Sequence, residues 1–267
     1  MNQIQAGKIK VNGTELYYES LGSGEAVVLL HGHSVDRRMW DPQFEALAAK
    51  YRVIRYDMRG YGLSSMPVED EPFLHADDLY SLMKELGVTT AHLVGLSMGS
   101  FTALDFLALH PECVSSVSVA SGAIYYEDDE DHQSSAKPGD KSGVDVEQHK
   151  RIWFGQMQEA CGPHWMEIKN TLWEMISEWS AWQANHREAR TFIGPSLGGL
   201  LRSLPRNVPL LVIIGMSDNA GSLRSSDKLL RLMPSARPVY LPDSGHFSNM
   251  ETPELFTKEL TRFLDSV

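Results

Sequence analysis

Six short runs of apolar, largely β-branched residues recur along the chain, and helix-like stretches separate them. They are AVVLL (26–30), YRVIRY (51–56), AHLVGL (91–96), VSSVSVA (114–120), VPLLVIIG (208–215) and ARPVYL (236–241). Runs this short, with so little polar alternation, read as strands buried on both faces, and strands that alternate with helices join into a mostly parallel sheet. The intervening helices are MWDPQFEALAAK, HADDLYSLMKELG with Gly87 as its stop, SFTALDFLALHP halting before Pro111, SLRSSDKLLRLMP and TPELFTKELTRFLDSV. The last has Thr252 as cap, Pro253 at its first position, and Leu255, Phe256, Leu260, Phe263 and Leu264 at helical spacing. Ahead of them all, Asn12-Gly13 splits the alternating KIKVNGTELYYES, which predicts an opening antiparallel hairpin. The pattern predicts an α/β doubly wound fold.

One region departs from the alternation. Residues 121–206 contain no convincing interior strand and hold five of the six tryptophans, Trp153, Trp165, Trp173, Trp179 and Trp182. This stretch is expected to be an inserted helical cap, with 1–120 and 207–267 forming the core. Trp165, Ile168, Leu172, Ile176 and Trp179 fall on one helical face and read as packing, whereas Trp173 and Trp182 lie off its centre and are expected to line an apolar entrance. The acidic run Glu127 to Asp131, followed by His132, reads as a solvated loop, because consecutive acids cannot all face one ion. No metal site is expected.

A formal net charge of −11 argues against nucleic acid and against an anionic membrane surface, so the expected partner is a small molecule. The opening residues show no basic start followed by an apolar core, and no stretch approaches the roughly 18 apolar residues of a membrane span, so a cytoplasmic location is expected. Cys113 and Cys161 stand far apart without a ligand-like spacing and are expected to be buried, reduced thiols. Nothing calls for a cofactor.

The chemistry is concentrated where the third buried run ends. Gly95-Leu96-Ser97-Met98-Gly99 is a G-x-S-x-G pattern directly after a strand and directly before a helix, the setting in which a sharp turn holds a serine hydroxyl clear of the backbone. The same residues also fit a plain N-cap at a glycine-rich helix start, so the rest of the constellation has to decide. A serine nucleophile needs a base and an orienting carboxylate, in the chain order Ser, acid, His. Asp218, just past the VPLLVIIG strand, and His246, between the last strand and the last helix, supply them at strand exits. Asp243 is the rival acid, but a loop aspartate three residues from the histidine is poorly placed to reach its far nitrogen. The oxyanion donors are expected to be the backbone N–H of Met98 and, from the His31-Gly32-His33 loop, that of His33, with His31 a structural residue.

LLHGHSVDRRMW, RYDMRGYGLSS, VGLSMGS, VIIGMSD and DSGHF together resemble the α/β-hydrolase family of serine hydrolases, most closely the β-ketoadipate enol-lactone hydrolase branch. The resemblance implies an α/β-hydrolase fold, a triad on Ser97, Asp218 and His246, and an oxyanion hole on His33 and Met98. Serine at 97, where dehalogenases and epoxide hydrolases of this fold carry aspartate, argues against those reactions. Three features depart from the branch: Ser100 replaces a second glycine, Asp218 is followed by Asn-Ala-Gly, and the HGH loop is not the glycine-rich lipase loop. The branch's dianionic lactone would call for converging cations, so that substrate does not carry over. The reading is hydrolysis of a small to medium ester or lactone through an acyl-serine. Carbon–carbon bond hydrolysis by the same triad and a non-catalytic ligand receptor are the alternatives, and oligomeric state is left open.

Overall fold

The computed structural model describes residues 3–122, 124 and 143–267. Eight strands, β1 (Gln5–Val11), β2 (Thr14–Leu21), β3 (Ala26–Leu30), β4 (Arg52–Tyr56), β5 (Ala91–Leu96), β6 (Val114–Ala120), β7 (Leu210–Gly215) and β8 (Arg237–Leu241), form one sheet in the order β1-β2-β4-β3-β5-β6-β7-β8. The β1–β2 hairpin pairs antiparallel, β2 meets β4 antiparallel, and every other pairing is parallel. Asn12 (φ 43°) and Gly13 (φ 72°) are both left-handed, the geometry a tight two-residue hairpin needs to match strand twist. Strands β3, β5 and β7 are buried at each position, as continuous apolar runs require, while the edge strand β8 exposes most of its residues.

Helices α1 (Asp41–Leu47), α2 (His75–Glu85) and α3 (Met98–Leu109) lie between the first parallel strands, and α8 (Ala220–Leu232), α9 (Ser248–Glu251) and α10 (Pro253–Leu264) follow β7 and β8. Thr252 stands at the N-cap position of α10, yet its hydroxyl donates back to the Ser248 carbonyl at 3.2 Å. The helix therefore begins on Pro253, whose missing N–H removes one donor that would need a cap. Two apolar clusters cover the two faces of the sheet, one around Phe106, Tyr56 and Leu197, the other around Trp40, Phe256 and Phe247.

Between β6 and β7 the described residues form helices α4 (Val146–Ala160), α5 (Trp165–Glu178), α6 (Trp182–Asn185) and α7 (Leu197–Arg202). The acidic run Glu127 to Asp131 and His132 lie outside the described residues. Ile168, Leu172 and Ile176 of α5, with Trp179 beyond its end, are buried as the apolar stripe requires. Ion pairs also tie the insertion to the core: Arg38 reaches Glu174 at 3.3 Å and Glu178 at 2.6 Å, and Arg187 pairs with Asp70. Cys113 and Cys161 are free thiols and half-buried, more exposed than their sequence context suggests.

The chain runs from β3 outward to β4 on one side, then crosses back to place β5 on the other. The switch point of the sheet therefore falls between the carboxyl ends of β3 and β5, the place where open α/β sheets form their binding crevice.

Candidate active site

Ser97 occupies that crevice on a turn no ordinary residue prefers. It has φ 54° and ψ −115°, a strained conformation of the kind that costs on the order of 1–3 kcal/mol and persists only where its surroundings impose it. Its N–H donates to the Ala120 carbonyl at 2.9 Å, and its own carbonyl accepts from Ser100 N at 2.9 Å as the first turn of α3. Both glycines are obligatory. A Cβ on Gly95 would strike the Gly99 carbonyl, and one on Gly99 would strike the backbone of Leu30 and lie 2.9 Å from the His31 carbonyl oxygen. Ser100, a departure from the enol-lactone branch, is fully buried and donates to the carbonyls of Gly95 (3.0 Å) and Ala120 (2.8 Å). It braces the elbow to the ends of β5 and β6.

Asp218 and His246 are brought together from separate strand exits. His246 Nδ1 lies 2.9 Å from Asp218 Oδ1, with Ser222 Oγ at 3.5 Å, and both residues are buried. Asp218 Oδ1 also accepts from Asn219 N at 2.7 Å and Asn219 Nδ2 at 3.0 Å, so the carboxylate is oriented before it meets the imidazole. Asn219 meanwhile caps α8 by accepting from Ser222 N at 3.0 Å. Asp243 is exposed on the turn after β8.

The loop after β3 is shaped by His31. The Met58 N–H donates to its Nε2 at 2.9 Å, which leaves Nδ1 protonated to donate to the Gly32 carbonyl at 2.7 Å. Burial pulls the pKa of this ring down, so it stays neutral. Next to it, Met98 begins α3 with its N–H at the positive end of the helix dipole. The His33 side chain is engaged as well. Its Nδ1 lies 2.6 Å from Tyr61 Oη, and its ring meets Trp179 and Trp153 edge-on at 4.8 and 5.3 Å between centroids. Loss of hydration, aided by nearby Arg190, takes its pKa down to about 3.

Trp173 packs against Phe154 (5.0 Å) and Arg151, and Trp182 stacks on His186 at 4.5 Å. The tryptophans found against the loop after β3 are Trp153, whose Nε1 donates to Ser34 Oγ at 2.5 Å, and Trp179. A cavity of about 280 Å³ at the seam of insertion and core is lined by Val35, Leu63, Met175 and the same Trp179, together with the charged Asp36, Arg37, Arg38 and Glu178.

Sequence reading missed two residues. Tyr61 sits in the RYDMRGYG loop, which buried Asp57 holds by accepting from Arg37 N at 3.0 Å and Leu63 N at 2.8 Å. Arg190, from the insertion, lies 2.8 Å from Met98 Sδ, 3.5 Å from Tyr61 Oη and 3.5 Å from Glu188. The second G-Y-G glycine was a signal for Tyr61, since a Cβ on Gly62 would fill the space of the Asp57 carboxyl. Arg190 had none, because it approaches from a distant segment.

A parallel sheet with a serine elbow at its switch point, followed by an acid and a histidine at later strand exits, defines a hydrolase of the α/β type. The chain belongs to the alpha/beta hydrolase family, whose model matches residues 27–259. It is 25% identical to the 3-oxoadipate enol-lactonase 1 of Acinetobacter baylyi over 262 residues, 97% of this chain and 93% of that one. A thermophilic esterase from Thermogutta terrifontis superposes with a TM-score of 0.80 at 27% identity, covering 98% of both chains. The enol-lactonase of Burkholderia xenovorans LB400 does so with a TM-score of 0.77 at 26% identity, covering 97% of this chain and all of that one.

Proposed function

We propose that the protein hydrolyses a small to medium carboxylic ester or lactone through an acyl intermediate on Ser97. The observation that carries this reading is the 2.9 Å contact between His246 Nδ1 and Asp218 Oδ1, made by residues whose strands open on the crevice that holds Ser97. Asp218 keeps Nδ1 protonated and stabilises the imidazolium, so Nε2 is the atom that accepts the Ser97 proton as the hydroxyl attacks the carbonyl. The tetrahedral oxyanion rests on the N–H groups of Met98 and His33. His246 then protonates the leaving alcohol, and deprotonates the water that releases the acid and regenerates Ser97.

The helical insertion acts as the cap over this crevice and supplies its outer wall. That wall is aromatic, with Trp153 and Trp179 beside His33, and its Arg190 pairs with Glu188 at 3.5 Å. A wall whose charges pair internally suits a neutral ester or lactone better than the dianionic lactone of the enol-lactone branch. The two cysteines, not joined to each other, favour a cytoplasmic setting.

The test is labelling with a fluorophosphonate probe, followed by turnover of a graded panel of p-nitrophenyl esters and lactones. Wild-type protein should carry the adduct on Ser97, and Ser97→Ala should retain less than about a thousandth of wild-type activity. An adduct on another residue, or an active Ser97→Ala, rejects the nucleophile. Preference for a short dianionic lactone would reject the neutral-substrate reading alone.

A further inference from the structure

We propose that Glu251 is a positioning residue for His246, fastening the loop that carries the imidazole to the end of helix α4 of the insertion. The inference rests on the reading of His246 as the base. Glu251 ends the short helix α9, five residues after His246, and is 2% exposed. A carboxylate so deeply buried needs donors, and it finds them on both sides. Its Oε1 accepts from Gly245 N at 3.1 Å and from Phe247 N at 3.2 Å, the two residues that flank His246. Its Oε2 accepts from Gly162 N at 2.5 Å, beyond the end of α4, and the neighbouring Cys161 thiol also hydrogen-bonds the carboxylate.

The histidine itself completes the arrangement. The His246 N–H donates to the Ala160 carbonyl at 2.9 Å, and its carbonyl accepts from the Ser121 hydroxyl. Three successive N–H groups, at 245, 246 and 247, are thus consumed by Glu251 and by the last residue of α4. The approach is too close for side chains: a Cβ on Gly245 would strike the Ala160 carbonyl, and one on Gly162 would lie 3.0 Å from Glu251 Oε2.

Helix α4 also reaches the other half of the site. Trp153 stands seven residues before Ala160, two turns back on the same face, and there bonds Ser34 and touches His33. One helix therefore splints the oxyanion loop to the histidine loop, and Glu251 supplies most of the bonds at the histidine end. Catalysis depends on such placement, since a misplacement of about 1 Å can cost about a hundredfold in rate.

Two substitutions grade the effect. Glu251→Ala removes every bond, whereas Glu251→Gln keeps an oxygen for Gly245 and Phe247 but turns an amide donor toward the Gly162 N–H. Both full-length variants are assayed well below their Tm for kcat and KM on one p-nitrophenyl ester, and for the rate of fluorophosphonate acylation. The expected result is a fall in kcat of about a hundredfold for Glu251→Ala and about tenfold for Glu251→Gln, with KM within threefold of wild type and acylation slowed in step. Wild-type kcat in either folded variant overturns the proposal, as does a loss confined to Tm or KM. If Glu251→Ala does not fold, Glu251→Gln decides by the same criteria. Ser97→Ala, run alongside, separates the two readings: an active Ser97→Ala removes the nucleophile, whereas an inactive one beside active Glu251 variants removes only the role of Glu251.

Discussion

Asp105→Asn should stabilise the protein at neutral and alkaline pH and leave its stability in acid nearly unchanged. Asp105 lies in the middle of α3, 2% exposed, and its Oδ2 accepts a backbone N–H from Ile193 of the insertion at a long 3.4 Å. Burial against so little compensation raises its pKa to about 7. An unfolded aspartate titrates near 3.9, so the folded state retains a proton across roughly pH 4 to 7 that the unfolded state has lost. The contribution of Asp105 is therefore complete below about pH 4, declines as the pH rises, and above about pH 7 is smaller by about three pKa intervals, or about 4 kcal/mol. Asparagine has the same shape, keeps an oxygen for the Ile193 N–H and cannot ionise. Urea unfolding of both proteins, followed by tryptophan fluorescence between about pH 4.5 and 9, should show the variant's advantage growing by up to about 1.4 kcal/mol per pH unit before it levels off. An advantage or penalty independent of pH would refute the reasoning, because it would mean that Asp105 ionises as freely folded as unfolded.

Asp218→Asn should lower kcat by about a thousandfold or more with a modest change in KM, because the amide favours the wrong imidazole tautomer, while Asp243→Asn on its exposed turn retains most activity. Steady-state esterase kinetics on folded variants decide, and a reversed ranking would reassign the acid. His33→Ala keeps the backbone donor but removes the seat of Trp153 and Trp179, so its cost should fall on KM and Tm, whereas His33→Pro should lose about a hundredfold in kcat. Equal, severe losses of kcat would show that the imidazole itself takes part.

Local patterns carried much of this architecture. The first five runs became β3 to β7 because an uninterrupted apolar strand has no stable place except between two helical layers, whereas ARPVYL, read as buried, became the edge strand β8 and exposes most of its residues. Asn12-Gly13 became a hairpin because both residues tolerate a left-handed backbone. The candidate nucleophile, acid and base were legible for a related reason: each sits in a short motif at a strand exit, so order along the chain maps directly onto position along one edge of the sheet. The order of strands is another matter, since adjacent runs in sequence need not be neighbours in space, and β4 lies outside β3 while β5 lies inside.

The residues that the sequence left obscure act across long separations. Trp173 and Trp182 looked apt for an entrance on helical periodicity, but periodicity reports which residues share a face and not what that face meets. Packing set Trp173 on Phe154, Trp182 on His186, and Trp153 and Trp179 on His33. Arg190 and Glu251 have no motif of their own, because a hydrogen bond to a backbone N–H or a ring depends on where the partner's segment arrives in three dimensions. By itself the sequence determined the elements, the elbow and the order of its chemical groups, all set by local sterics and apolar patterning. Only the tertiary structure decided which aromatic rings meet His33 and which carboxylate bonds the N–H groups on either side of His246, since both depend on how the insertion docks against the sheet.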